Sequence, residues 1–577
     1  MNLSRKLFKI FDKKIKLKFI WVLLGILVNT ILEILPLALI SPFIALLLEP
    51  EDLHTNSILS FINESLEIQS INHFLGLLAL MLAILYIFRG VYIVVFNTLR
   101  YNFFANGRAD FSDRIIKKLL KYSYTYHANK NIAESMNNVI TDVDSLFRLV
   151  IAATNFFSEA FISIFMIIFL LVVSIEITLL VAGLALICVV IYFLFFRKKI
   201  KFYGKMTRSS NVDMTKSVNQ ALGGIKEVKI LGREDFFEKR FSKSSRVFAK
   251  YFSGQLALDN APKLLIETVC FGGAFLILSI FIFTDVDISG VLPELSLFMV
   301  AAFRLLPSVS RMVVYANQLL FRKPSVDAVY RSLFLDDDIA VSSLSDVDKI
   351  DEYMSSNDIV IKNLYFSYPK SNNSILENLS FSIPEKKSVA FVGASGAGKT
   401  TLIDIILGVL PPNEGGVYYK GLSIHHYFKE WSNYIGYIPQ QIYLLDETIR
   451  ENIAFGIDEP EIDNDKIMKA IEQAQLLDFV KSLPEGIDTV VGDRGIRLSG
   501  GQRQRIGIAR AIYNDPDILV LDEATSALDT ETEKAVMEAI MGFKGNKTLI
   551  IVAHRLTTIE NCDIVYKVED KNIFQER

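Results

Sequence analysis

The chain opens on a run of positive charge and then becomes apolar for a long stretch. Arg5, Lys6, Lys9, Lys13, Lys14, Lys16 and Lys18 are followed by no lysine or arginine until Arg89. The apolar run from Phe19 to Leu48, free of lysine and arginine, is about 30 residues, more than the roughly 20 that cross a bilayer core, and it lacks the short apolar core and small-residue cleavage site of a signal peptide. It reads as an uncleaved first span, kinked near Pro36 and Pro42. Further apolar regions lie at 74–97, 150–196, 264–284 and 293–320. The region 150–196 is about twice one span in length, so it must fold back near Ser174–Ile177. Six spans are expected.

Loop charge sets their orientation, because cytoplasmic loops collect lysine and arginine. The segments 98–148 and 197–263 are strongly basic, whereas 49–73, 174–177 and 285–292 contain no lysine or arginine. Both termini are therefore expected on the cytoplasmic side. In the first outer loop Ile58, Leu59, Phe61, Ile62 and Leu66 recur at near-helical spacing beside Asn63, Glu64 and Glu67. An amphipathic helix at about 57–72 follows, either lying in the membrane interface or packed as a loop helix. The polar, proline-poor stretches 98–148 and 197–258 predict helices that extend into the cytoplasm, broken at Tyr126–Asn129 and Gly223–Gly224. The pattern thus divides the chain into a helical membrane domain, 1–335, a serine- and aspartate-rich linker, 336–357, and a soluble domain, 358–577.

Composition agrees with a membrane protein. Of 577 residues 51% are hydrophobic, and the mean hydropathy of +0.34 exceeds that of an ordinary soluble chain. The formal net charge of −3 offers no basic field for nucleic acid. Cys188, Cys270 and Cys562 are too far apart for a disulfide framework or a zinc site and read as small apolar residues.

The chemistry lies in the soluble domain. Gly393, Ala394, Ser395, Gly396, Ala397, Gly398, Lys399 and Thr400 follow the apolar strand Ser388–Val392 and lead into a helix beginning at Thr401. This is a phosphate-binding P-loop in its strand-loop-helix setting. Its glycines let backbone N–H groups approach phosphates, Lys399 reaches the β and γ phosphates, and the Thr400 hydroxyl is placed for magnesium. Farther along, Ile518–Leu521 is a buried-strand run ending in Asp522 and Glu523. Asp522 suits the magnesium shell and Glu523 suits orienting or deprotonating a water. Between these motifs Leu498, Ser499, Gly500, Gly501 and Gln502 open a basic helix, which makes a second anion-binding helix start.

With these motifs in this order the chain resembles the ATP-binding cassette transporters. The resemblance implies an all-α, six-span membrane domain of the exporter (type IV) architecture followed by an α/β P-loop cassette, with ATP and Mg2+ as cofactors. It also implies a homodimer, since Ser499–Gln502 of one chain closes on nucleotide held by the other. Tyr368 resembles the aromatic that stacks on adenine, and Gln440 the glutamine-loop residue that reaches magnesium. Asp529 resembles the D-loop aspartate, and His554 the switch histidine. Thr489–Gly495 resembles the exporter cross-link loop. Tyr126–Asn129 and Gly223–Gly232 resemble the regions that couple membrane helices to cassettes. A multi-pass protein of a bacterial inner membrane, with its ATPase domain cytoplasmic, is implied.

Cargo is the open question. Arg89, Arg304 and Arg311 lie in or at the inner ends of spans, with Lys263 near the fifth. They suit a cationic belt for a phosphate-bearing lipid, and Glu33, Glu159 and Glu267 equally suit neutralising them as structural pairs. The stretches Phe88-Arg89, Val286–Gly290 and Ala302–Arg311 resemble the flippases of lipid-linked oligosaccharides in bacterial N-glycosylation. That implies a polyprenyl-pyrophosphate-linked glycan as cargo. A general lipid, lipid A or multidrug exporter is the alternative, and an ATP-gated channel is disfavoured by the intact Glu523 and His554.

Overall fold

The computed structural model describes residues 3–48, 71–173, 175–283, 292–334, 357–369, 373–492, 495–523, 530–553 and 559–577. The outer-loop segment expected at 57–72 lies outside these up to residue 70, as do nearly all of the 336–357 linker, Asp529 and His554. Two compact units divide the chain: Met1–Tyr122 with Tyr126–Val341, and Ser342–Arg577 with Ser123–Thr125.

The first unit is helical. After α1 (Leu3–Ile10) come α2 (Lys13–Leu48), α3 (Ile71–Leu120), α4 (Tyr124–Asn129), α5 (Ile132–Asn137), α6 (Val143–Val173), α7 (Ile175–Gly223), α8 (Ile225–Ile230), α9 (Glu234–Glu267), α10 (Gly273–Phe283) and α11 (Leu292–Phe334). Among the described residues, Lys13–Pro36, Asn72–Leu120, Ile132–Val172 and Thr178–Gly223 are long and apolar enough to cross a membrane. The run 150–196 does fold back, with α6 ending at Val173 and α7 starting at Ile175. α2 continues as helix through Pro36 and Pro42. The break expected at 126–129 falls in the short helix α4, and the one expected at 223–224 separates α7 from the short helix α8.

Outward faces remain apolar: Ile87, Val91 and Val94 on α3 and Leu186, Leu194 and Phe195 on α7 are exposed. This suits a hydrocarbon solvent, in which apolar exposure carries no penalty. Inside, Phe111, Ile115, Leu146, Leu149, Val326 and Val329 form the core of the extensions. Lys6 ties α1 to α11 through Asp327 at 2.6 Å.

A buried polar network holds these extensions in register. Asp142 closes the π turn Asn138–Asp142. Arg208 on α7 donates its Nε to both Asp142 carboxylate oxygens at 3.1 Å and its Nη2 to Oδ2 at 2.9 Å. Arg208 also reaches Asn138 Oδ1 at 3.1 Å, and Asn138 donates to Ser332 Oγ on α11 at 2.9 Å. The buried charge is thus paired and hydrogen-bonded, which offsets part of its desolvation.

The second unit is the α/β domain. Its main sheet has the strand order β10-β9-β3-β8-β7-β6, built from β3 (Ser388–Val392), β6 (Ile435–Ile438), β7 (Ile518–Asp522), β8 (Thr548–Val552), β9 (Ile564–Glu569) and β10 (Asn572–Gln575). Only β9 and β10 pair antiparallel in it. A second, antiparallel sheet in the order β2-β1-β4-β5 comprises β1 (Ile359–Phe366), β2 (Leu376–Ile383), β4 (Glu414–Tyr419) and β5 (Leu422–Ser423). β7 and β8 are buried along their whole length, as parallel strands covered on both faces must be. Their carboxyl ends, with that of β3, lie along one edge, where open parallel sheets bind ligands.

Candidate active site

The P-loop follows β3 and ends where α12 (Lys399–Ile406) begins. Its glycines are required by geometry. Gly393 has φ +149°, and a Cβ there would lie 2.3 Å from the Val568 carbonyl oxygen. Gly396 has φ +82° at an open crest, with nothing within 4 Å of a notional Cβ. Gly398, at φ +102°, precedes α12 without any side-chain cap. The first N–H groups of α12 therefore have no side-chain acceptor and present the positive end of the helix dipole. Lys399 is buried and donates to the carbonyls of Gly393 and Ala394, both at 2.9 Å. Burial lowers its pKa, opposed by the negative fields of Glu523 and Asp522. Open N–H donors, a lysine held at the loop and two carboxylates nearby fit a nucleotide polyphosphate.

Asp522 ends β7 and is buried. Glu523 stands at φ +48°, a left-handed conformation that costs a side-chain-bearing residue about 1–2 kcal/mol. Gln440, just beyond β6, donates its Nε2 to Glu523 Oε2 at 2.7 Å. Because β6 pairs with β7 in parallel, the loops that follow them leave the sheet side by side. The structure thus brings together two residues 83 positions apart that the sequence assigns to one reaction. Thr400, Gln440 and Asp522 supply hydroxyl, amide and carboxylate oxygens, a set that suits Mg2+ completed by phosphate oxygens and water.

Tyr368 is partly exposed beside the P-loop helix, its hydroxyl 3.2 Å from Thr401 Oγ1 and its ring edge-on to Phe366. Asp404, one turn into α12, escaped the sequence reading. Burial, reinforced by the Asp522 charge, pushes its carboxyl up to about 6. Its i+4 spacing from Thr400 was the only sequence signal for it.

The second phosphate-binding motif is formed separately. Ser499 caps α13 (Gly500–Ile512) by accepting from Gln502 N at 3.2 Å, while Gln502 Oε1 accepts from Ser499 N at 2.8 Å. This reciprocal capping fixes the Ser-Gly-Gly start. Among the described residues no hydrogen bond joins it to the P-loop of the same chain.

Residues 376–526 match the family model of the ABC transporter, and residues 20–283 match that of the ABC transporter transmembrane region. The chain belongs to the ABC transporters. In this sequence one ABC transporter transmembrane region, 20–283, is followed by one ABC transporter domain, 376–526. Among its relatives is the ATP-dependent lipid A-core flippase of Photorhabdus laumondii, 31% identical over 66% of this chain and 64% of the relative. The flippase of the same name from Salmonella typhimurium is 32% identical over 65% of this chain and 63% of its own length. The matched region thus spans a little under two thirds of these relatives. The fold matches a bacterial Atm1-family ABC exporter solved with ATP bound, with TM-score 0.73, 22% identity, and coverage of 97% of this chain and 95% of that one.

In the membrane unit of this ABC transporter, two of the three arginines singled out from the sequence meet acids. Arg89 lies 3.1 Å from Glu33. Arg311 donates its Nε and Nη2 to the two oxygens of Glu159 at 2.6 and 3.0 Å, and Nη2 also reaches Ser308 Oγ at 3.2 Å. Lys263 is exposed and makes no ion pair among the described residues. The Arg304 side chain lies outside the described residues.

Proposed function

We propose that the chain is an ATP-driven lipid exporter that works as a homodimer and moves a phosphate-bearing glycolipid from the inner to the outer leaflet. ATP closes two cassettes around two nucleotides, each held by the P-loop of one chain and Ser499–Gln502 of the other. Thr400, Gln440 and Asp522 would hold a magnesium ion, which would neutralise phosphate charge. Glu523, oriented by Gln440, accepts a proton from water, Lys399 holds the phosphates, and Tyr368 stacks on adenine. Closure reaches the membrane helices through α4 and α8 and alternates their access between the two sides of a bacterial inner membrane.

For cargo, we read a polyprenyl-pyrophosphate-linked oligosaccharide. The observation that carries this is Arg311. Glu159 pins its Nε and Nη2, yet the side chain stays 48% exposed while that of Glu159 is 12% exposed. A guanidinium has five N–H donors, so with Nε and Nη2 engaged the arginine still offers the two N–H of Nη1 to a phosphate. Arg89, Arg304 and Lys263 complete the belt in this reading. The names of the relatives favour lipid A-core as a second reading, and it shares the phosphate chemistry.

The test is ATP-dependent translocation in proteoliposomes of a fluorescent polyprenyl-pyrophosphate oligosaccharide against a fluorescent lipid A. We expect the first to move and Arg311→Ala to abolish its movement while basal ATP hydrolysis persists. Movement of lipid A alone selects the second reading. Hydrolysis with movement of neither lipid overturns both.

A further inference from the structure

A cavity of about 670 Å³ lies between α2 and α3, and it is amphipathic from end to end. The two helices run antiparallel. Tyr92 Oη donates to the Gly25 carbonyl at 2.9 Å, while Lys18 Nζ lies 5.8 Å from the Phe103 ring centre. Along α2 the lining runs from Lys18 to Val28, and on α3 Asp110 lines it too, with the Arg100 guanidinium beside Phe96, 5.7 Å from its ring centre. Lys18 and Val28 are about ten residues apart on α2, roughly 15 Å along the helix. The apolar end points toward the middle of the first span and the charged end toward the basic N-terminus. Trp21, 69% exposed, lines the cavity between them, where an interfacial tryptophan belongs.

Arg100 is the deciding residue. It is only 7% exposed, and its Nε has no hydrogen-bond partner. Its other contacts are the Tyr101 hydroxyl at 3.3 Å from Nη2 and the rings of Tyr101 and Phe96 at 5.0 and 5.7 Å. Among the described residues no carboxylate pairs with it, although Asp110 lines the same cavity. A guanidinium does not give up its proton, so a buried one without a carboxylate partner suits an incoming anion.

We propose that this cavity holds one anionic glycerophospholipid of the inner leaflet, its phosphodiester on Arg100 and Lys18 and one acyl chain against Phe96 and Val28. The volume falls within the range of ligand pockets, about 300–1,000 Å³. The positive charges stand at the interface, where anionic headgroups lie. The site is separate from Arg89 and Arg311 and does not depend on which cargo is exported.

Trp21 supplies the readout, because the chain has just two tryptophans and the other, Trp431, is buried in the cassette core. The full chain in vesicles is titrated with brominated phosphatidylglycerol or brominated phosphatidylcholine at equal bromine content. We expect phosphatidylglycerol to quench tryptophan fluorescence at a lower mole fraction, with a preference of about fivefold per cation. The double variant Lys18→Gln/Arg100→Gln should lose that preference and Arg100→Lys should keep part of it. Lys14→Gln, outside the cavity, should leave it intact. Basal ATP hydrolysis checks folding of each variant, and the wild-type comparison decides if the double variant fails to fold. Equal quenching by both lipids, meaning annular lipid only, overturns the proposal. So does absence of Trp21 quenching, meaning that a second copy covers the face, and so does loss of preference in Lys14→Gln, meaning diffuse surface charge.

Discussion

Glu523 occupies a strained conformation for a reason that can be tested. The left-handed backbone turns its carboxylate out of β7 toward Gln440, so the cost of that conformation is spent on aim. Glu523→Gln keeps the size and the bond to Gln440 but cannot take a proton. We expect ATP hydrolysis to fall about 10²–10⁴-fold, the range for general base catalysis, with nucleotide affinity within about twofold of wild type. Phosphate-release and nucleotide-binding assays read the two quantities. Unchanged turnover would remove Glu523 from the chemistry and the pump assignment with it. A second residue sets an acid limit. His425, in the cassette after β5, is driven down to about 4 by burial, with the neighbouring His426 adding to it and a Gly408 backbone bond opposing it. Its Nε2 has no hydrogen-bond partner. The unfolded chain takes this proton near pH 6.5 and the folded one near 4, so the stability is whole above 6.5 and falls as pH drops through that window. Between pH 7 and 5 the loss is about 2 kcal/mol, or about 4–8 °C for a domain of this size. Cassette melting in the full chain should lose that much more in wild type than in His425→Leu, and equal slopes would show that His425 protonates freely in the fold.

Between elements, close approach of backbones is the main determinant in the membrane unit. Gly204 on α7 meets α11 so tightly that a Cβ would lie 1.9 Å from the Phe321 carbonyl oxygen, whereas Gly183 on the same helix has nothing within 4 Å. Gly204→Ala should therefore cost about 1–3 kcal/mol in spite of the better helix propensity of alanine. Gly183→Ala should be neutral or stabilising, and melting temperatures in detergent compare them directly. An equal effect at both sites would mean that propensity, not packing, decides. This contrast marks what was legible beforehand. The P-loop, Asp522, Glu523 and the fold-back near residue 174 were readable, because local spacing and the length limit on a span carry that information. The glycine contact was not, since it depends on a carbonyl more than a hundred positions away. The same holds for ionic partners. Arg89, Arg311, Glu33 and Glu159 were recognisable as intramembrane charges, yet which acid met which arginine depended on helix neighbours. The Asp142–Arg208–Asn138 network was invisible, because each member reads as an ordinary polar residue on a long polar helix. The antiparallel four-stranded sheet carried no motif to reveal it.

At the scale of the whole molecule, one chain holds a P-loop and a Ser499–Gln502 helix start that share no hydrogen bond among the described residues. If each nucleotide lies between the P-loop of one chain and the helix start of another, two defective chains can complement. Lys399→Ala disables the phosphate grip, and Ser499→Arg obstructs the helix start with a bulky cation. Each variant alone should be inactive, because both sites of its homodimer carry the defect. In an equal mixture that exchanges subunits, half the dimers are mixed. One site in each mixed dimer combines both defects, and the other combines an intact P-loop with an intact helix start. If one sound site hydrolyses independently, the mixture recovers about a quarter of wild-type ATP hydrolysis. If hydrolysis requires two sound sites, mixed dimers labelled on one chain still bind one nucleotide each, and a binding count distinguishes that case from failure. No recovered hydrolysis and no recovered binding would mean that P-loop and helix start act within one chain, and the homodimeric engine would be withdrawn while the Glu523 prediction stood.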